Sequence, residues 1–226
     1  QASRETGLGI GVLVAANRTR HPLDARTLAR LAAQYAGRGV VGFGLSNDER
    51  RGTTSDFAAA FRIARRADLL LAPHGGELRG PEHARTCLDE LHADRLGHGV
   101  RVAEDPALLE RVAADGVTLE ICPVSNVALG VYSDLTSVPL PTLLEGGAQV
   151  ALGADDPLLF GSRLAGQYAT MRAAHDLDDA TLAELARMSL RGSRAPSDVR
   201  ERALADIDAW LAAPGPHDGE PRSERM

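Results

Sequence analysis

Four polar clusters in this chain carry residue types that could do chemistry. Asp155 and Asp156 follow the apolar run Gln149-Val150-Ala151-Leu152 and precede Pro157. Adjacent carboxylates repel, so a cation, a metal or a hydrogen-bonded base must compensate them. Asp155 offers a hard oxygen ligand. Asp156 offers a hydrogen-bond acceptor, or a donor when protonated. Taken alone, Asp-Asp-Pro is good turn and helix-cap chemistry. His74 is followed, after two glycines, by Glu77. A neutral imidazole is a common zinc ligand, and a carboxyl beside a metal can shuttle protons. The plainer readings are a hydrogen-bonded strand-end histidine and a first-turn helix glutamate that the dipole favours. His98 stands between Gly97 and Gly99, so a ligand or a neighbouring backbone can approach closely. As a lone residue it is equally an ordinary loop histidine. Cys122 ends another apolar run, has no evident basic partner and reads as a buried structural thiol. His21, His83, His92, His175 and His217 fit no constellation and are assigned to the surface.

These clusters gain weight from the elements that must position them. Short apolar runs at Leu8–Ala15, Val40–Leu45, Leu69–Ala72, Arg95–Val100, Val117–Cys122 and Gln149–Leu152 read as six strands. Helical patterns separate them. Asp24 is expected to cap a helix with Leu28, Leu31, Ala32 and Tyr35 inside, and Ser55 one with Phe57, Ala60, Phe61 and Ala64 inside. Pro81 suits the first turn of the next, which buries Ala84, Cys87, Leu88 and Leu91. Asp105-Pro106 opens another, and a short one lies near Leu143. After the last strand the pattern is helical, and residues 214–226 read as a disordered tail. Residues 1–213 therefore form one domain. Strands alternating with helices imply a parallel sheet with helices outside it, either open and doubly wound or closed as a (β/α)₈ barrel. Every polar cluster follows a strand: Asn47-Asp48-Glu49 the second, His74 and Glu77 the third, His98 the fourth, Asp155 and Asp156 the sixth. In a parallel sheet those ends share one face, and in a barrel they meet at one mouth.

Composition narrows the function class. The chain has 226 residues, 44% of them hydrophobic, enough for a core. A net charge of −6 without a long basic run argues against a nucleic-acid partner. No apolar run approaches the roughly eighteen residues of a membrane helix. Two distant cysteines suit a reducing, cytoplasmic setting better than a disulfide scaffold.

Four segments, in order, resemble the adenosine and AMP deaminase family of zinc hydrolases. Pro73-His74-Gly75-Gly76-Glu77 resembles its His-Ala-Gly-Glu motif, with Gly75 replacing Ala. Leu96-Gly97-His98-Gly99 resembles its Gly-His-Gly motif, and Cys122-Pro123-Val124-Ser125-Asn126 its Cys-Pro-x-Ser-Asn motif. Ala151-Leu152-Gly153-Ala154-Asp155-Asp156-Pro157 resembles its most specific signature. The resemblance selects the barrel over the open sheet and places this chain at strands three to eight plus the C-terminal helices. It implies one Zn²⁺ ligated by His74 and Asp155, with His98 and Asp155 orienting and deprotonating water for attack on C6 of a purine. Glu77, protonated, would supply a proton to N1. Asp156 would hold N7, and Asn47 would contact the substrate at a turn where the family often has Gly. The implied activity is deamination of adenosine and 2′-deoxyadenosine in purine salvage. The related alternatives are deamination of adenine or aminodeoxyfutalosine, or a non-catalytic barrel that binds a purine or a partner. The family's first strand also carries a His-x-His pair of zinc ligands, and no His-x-His occurs here. The chain opens Gln1-Ala2-Ser3 without Met. The expectation is therefore a barrel lacking its N-terminal part, on the order of a hundred residues. Such a chain is expected to be inactive alone and to self-associate through open sheet edges.

Overall fold

A computed structural model describes Glu5 and residues 9–213. The tail expected at 214–226 lies outside the described residues, as does Leu8. Six strands form: β1 (Val12–Asn17), β2 (Val40–Ser46), β3 (Leu70–Pro73), β4 (Arg95–Gly97), β5 (Thr118–Ile121) and β6 (Gln149–Leu152). β2, β3 and β6 are apolar runs that are mostly buried, which is the rule for parallel sheets, while β1 leaves Val12 and Leu13 exposed. All pairings are parallel, with Phe43 opposite Leu71 in β2–β3 and Leu119 opposite Val150 in β5–β6. The strands fall into two triplets, β1-β2-β3 and β4-β5-β6. A single parallel bridge between His74 and Gly97 joins them. Spatial order therefore equals chain order. A doubly wound sheet reverses direction at a switch point; this one winds one way, as a (β/α)₈ barrel does. Among the described residues β1 and β6 each pair with one strand only.

The helices on the outside are α1 (Pro22–Gln34), α2 (Ala58–Arg66), α3 (Pro81–Leu91), α4 (Pro106–Ala114), α5 (Pro123–Ala128), α6 (Leu140–Glu145), α7 (Pro157–Phe160), α8 (Leu164–His175), α9 (Asp179–Arg191) and α10 (Ser197–Ala212). Pro81 starts α3, and Ala84, Cys87, Leu88 and Leu91 face the core. Asp105 caps α4 by accepting from the Leu108 amide at 3.1 Å. Two expected caps are corrected. His21, not Asp24, caps α1, its Nδ1 accepting from the Leu23 amide at 3.2 Å. Ser55 lies inside a 3₁₀ turn, Thr54–Phe57, and α2 has no side-chain cap. The inner face of α1 is also corrected: Ala25, Ala29 and Ala32 are buried while Leu31 and Tyr35 are about half exposed. Small residues let α1 sit close to its neighbours, and that packing overrides the stripe the larger side chains suggest. At the far end, α9 is tied under the sheet by the Arg95 guanidinium, which donates to the Gly192 carbonyl at 2.6 Å.

Candidate active site

β3 delivers His74. Its amide donates to the Leu45 carbonyl at 2.8 Å, and its carbonyl accepts from Arg18 Nη2 at 2.8 Å. Its ring lies against Gly97: a Cβ there would stand 2.5 Å from His74 Cδ2. Glycine at 97 is thus the condition for the imidazole's placement. Gly75 has a similar reason, because a Cβ would fall 2.7 Å from the Cys87 sulfur. β4 delivers His98, whose amide donates to the Glu120 carbonyl at 3.1 Å and whose φ is 64°. The two imidazoles meet edge to face, with centroids 4.7 Å apart and planes at 86°.

Glu77 is buried beside them. Its Oε1 lies 3.2 Å from His98 Nδ1 and accepts from Asn126 Nδ2 at 3.1 Å. The His98 contact is close but lacks hydrogen-bond alignment, so Nδ1 is a buried nitrogen without a bonded partner. Burial, then the charges of Glu49 and Asp155, push the Glu77 carboxyl up to about 8. It is a neutral acid at pH 7. Burial, and next the neighbouring His98, bring His74 down to about 4. Burial likewise lowers His98. Both rings are therefore neutral and free to ligate a metal. Burial raises Cys122 and pushes Cys87 up to about 12, consistent with inert thiols.

His74, His98 and Asp155 line a cavity of about 220 Å³ together with Gly97, Cys122 and Gly153. The ion pair of Arg95 and Glu120, 2.6 Å apart, lines it as well. One donor atom each from His74, Glu77 and His98 lies within 4.8 Å of the others. Two neutral nitrogens, one of them orphaned, suit a zinc-type ion, whereas a neutral Glu77 carboxyl beside them is not a ligand. Asp155 faces the same cavity from outside that tight group; it is solvent-exposed, with φ 55°. Asp156 is exposed and caps α7, its Oδ1 accepting from the amides of Leu158 and Leu159 at 3.0 Å each. That is the plain cap chemistry of the motif. Asn47 is exposed with φ 84°, and its Oδ1 accepts from the Asp48 amide at 2.9 Å. Neither Asp156 nor Asn47 lines the cavity.

Sequence reasoning passed over three participants. Asn126 sits inside a quoted motif yet had no role. Glu49 followed the second strand yet had none. His83, assigned to the surface, is buried on α3, with Nε2 2.8 Å from Thr54 Oγ1. Its position beside Ala84 on the inner face of α3 was the available signal.

A family profile described as adenosine deaminase matches residues 1–210. A putative adenosine/adenine deaminase of Streptomyces virginiae is 67% identical over 210 residues, 93% of this chain and 62% of its own length. An adenine deaminase of Agrobacterium fabrum is 39% identical over 206 residues, 91% of this chain and 63% of its own length. The crystal structure of adenine deaminase from Arthrobacter aurescens superposes with a TM-score of 0.86 at 28% identity, over 94% of this chain and 64% of that one. The chain thus spans rather less than two thirds of the length of these relatives.

Proposed function

The chain belongs to the adenosine deaminase family, and from that premise we propose that it works as a zinc-dependent purine deaminase whose preferred substrate is adenine. One observation carries the chemistry. Glu77 is a buried carboxyl beside His74 and His98, its oxygen fixed by Asn126 and its pKa pushed up to about 8 by burial and two nearby acids. A group with a pKa near the working pH is a good general acid. The choice of adenine over adenosine is supported by relatives that are named adenine deaminases, and it replaces the adenosine expectation drawn from the motifs.

His74 and Asp155, which line one cavity, are the residues we assign to the metal. Zinc, when bound, acidifies water toward neutrality. The chain's own groups do the rest. Glu77 gives its proton to N1 of the purine, which makes C6 more electrophilic. His98 and Asp155 face one cavity and orient the water that adds at C6. One proton of that water leaves with the amino group as ammonia, the other restores Glu77, and the ring keeps the oxygen as hypoxanthine. Asp156 holds N7 through Oδ2, since Oδ1 is occupied by the α7 amides. Asn47, in a left-handed turn after β2, is assigned to contact the substrate. Buried, inert thiols fit a reducing cytoplasm.

The test is ammonia release by the full-length protein from adenine, adenosine, 2′-deoxyadenosine and aminodeoxyfutalosine. kcat/KM for adenine should exceed that for adenosine at least about tenfold, or roughly 1.4 kcal/mol of transition-state binding. A preference for adenosine would return the substrate to the motif-based expectation. Release from none of the four would remove the deaminase reading.

A further inference from the structure

The loop that carries Glu77, between β3 and α3, has no ladder or helix to satisfy its backbone. Three successive amides in it nevertheless have one partner. The Glu77 amide lies 3.2 Å from Glu49 Oε1 and 3.1 Å from Oε2, and the Leu78 and Arg79 amides each lie 3.0 Å from Oε2. Glu49 is fully buried. Glu77 is buried, Leu78 half-buried and Arg79 exposed; a buried carboxylate that collects all three amides in charge-assisted bonds determines where the loop runs.

We propose that Glu49 is the positioning residue for the Glu77 acid, holding the loop by its amides so that the Glu77 carboxyl meets Asn126 and His98. This rests on the deaminase reading above. A buried network lies behind the carboxylate. His83 Nδ1 lies 3.3 Å from Oε2, close but without hydrogen-bond alignment, and His83 Nε2 faces both Thr54 Oγ1 at 2.8 Å and Arg18 Nη1 at 3.3 Å. Arg18 Nη1 also donates to Thr54 Oγ1 at 3.1 Å. An arginine cannot accept, so Nε2 is the acceptor and Nδ1 carries the proton that faces Glu49. The buried arginine continues to the site, where Nη2 donates to the His74 carbonyl. One buried network from the ends of β1 and β2 through α3 therefore holds both working strand ends, His74 by its carbonyl and Glu77 by its amide. At the other end, Glu77 Oε1 is pinned by Asn126. Asn47 bends the chain with φ 84° two residues before the buried Glu49.

A buried charge network could be structural only, so the test needs readouts that stability does not move. In the full-length protein, Glu49→Ala and Glu49→Gln are compared for kcat, KM for adenine, zinc content and amide hydrogen exchange. Oε2 receives all three amides, so Gln with its oxygen there keeps them. Glu49→Ala should lose exchange protection at residues 77–79 while β4 and β5 keep theirs. Its kcat should fall about 10–100-fold, the usual cost of an orienting partner beyond the reacting groups, with KM and zinc content within about twofold. Glu49→Gln should keep the protection and most of kcat. Unchanged protection at 77–79 in Glu49→Ala would overturn the proposal. So would loss of protection there in Glu49→Gln, which decides the matter if the alanine variant does not fold. An inactive wild type would remove the deaminase reading on its own, and the exchange pattern would still accept or reject the clamp.

Discussion

His74, Glu77 and His98 come from β3 and β4, which meet at the His74–Gly97 bridge between the two triplets; Asp155 and Asp156 come from β6, which pairs only with β5 among the described residues. The central three are largely buried, close to one another, and shifted in pKa by that burial. The edge pair is solvent-exposed. Apolar side chains are also left in solvent near both edges, Ile10 and Val12 at β1 and Leu158 and Leu159 beyond β6. The difference shows where this chain builds its site by itself. Burial in the middle sets protonation states and geometry at once, whereas the edge supplies correct residue types without the surroundings that would tune them. Exposed edges with apolar flanks are also where we expect a second chain to pair.

The comparison can be broken first by stability. Ile121→Ala on β5 should cost about 2–5 kcal/mol, because Ile121 is fully buried. Leu159→Ala should stay within about 0.5 kcal/mol, because Leu159 is 72% exposed. Urea denaturation of this chain reads both, and equal costs would show that the edge is as well packed as the centre.

A smaller effect is expected at the seam. Gly97→Ala would put a methyl 2.5 Å from His74 Cδ2 and displace the imidazole. Zinc affinity should weaken about 10–100-fold, measured by competition with a chelating dye. Affinity equal to wild type would mean that His74 does not hold the ion in its observed position.

The smallest effect is a pH trend in the metal-free chain. Glu77 rises from an ordinary 4.5 to about 8 on folding. Its contribution to stability is complete below about 4.5, declines above that, and is gone once pH passes 8. His74 runs the other way: lowered from 6.5 to about 4, it contributes above 6.5 and loses that contribution as pH falls to 4. The window from 6.5 to 8 therefore belongs to Glu77, and Tm should fall across it. Glu77→Gln should flatten the slope; an unchanged slope would place the proton elsewhere.

Much of the centre is legible in the sequence, for a physical reason. Buried parallel strands are short apolar runs, so β6 falls at Gln149–Leu152 as read, and whatever follows each run must lie on one face. That logic places His74, Glu77 and His98 together without any pairwise signal. It cannot find partners whose meaning depends on long-range contact. Glu49 and Leu78 are neighbours only through the fold, and His83 reads as a surface residue until Arg18, 65 positions away, is placed against it. It also misjudges α1, where the larger Leu31 and Tyr35 look like the inner face and three alanines are. At the edge the plain cap reading of Asp156 describes the observed hydrogen bonds, and its assigned role at N7 depends on a substrate.

The most direct measurement is zinc content and kcat for adenine on one preparation of the full-length protein carrying Glu77→Gln. The amide is nearly isosteric, keeps an oxygen for Asn126 and cannot give up an acid proton. If Glu77 is the neutral acid, zinc content should match wild type while kcat falls about 10²–10⁴-fold. Zinc and kcat falling in proportion would instead make Glu77 a ligand and contradict its role as the proton donor.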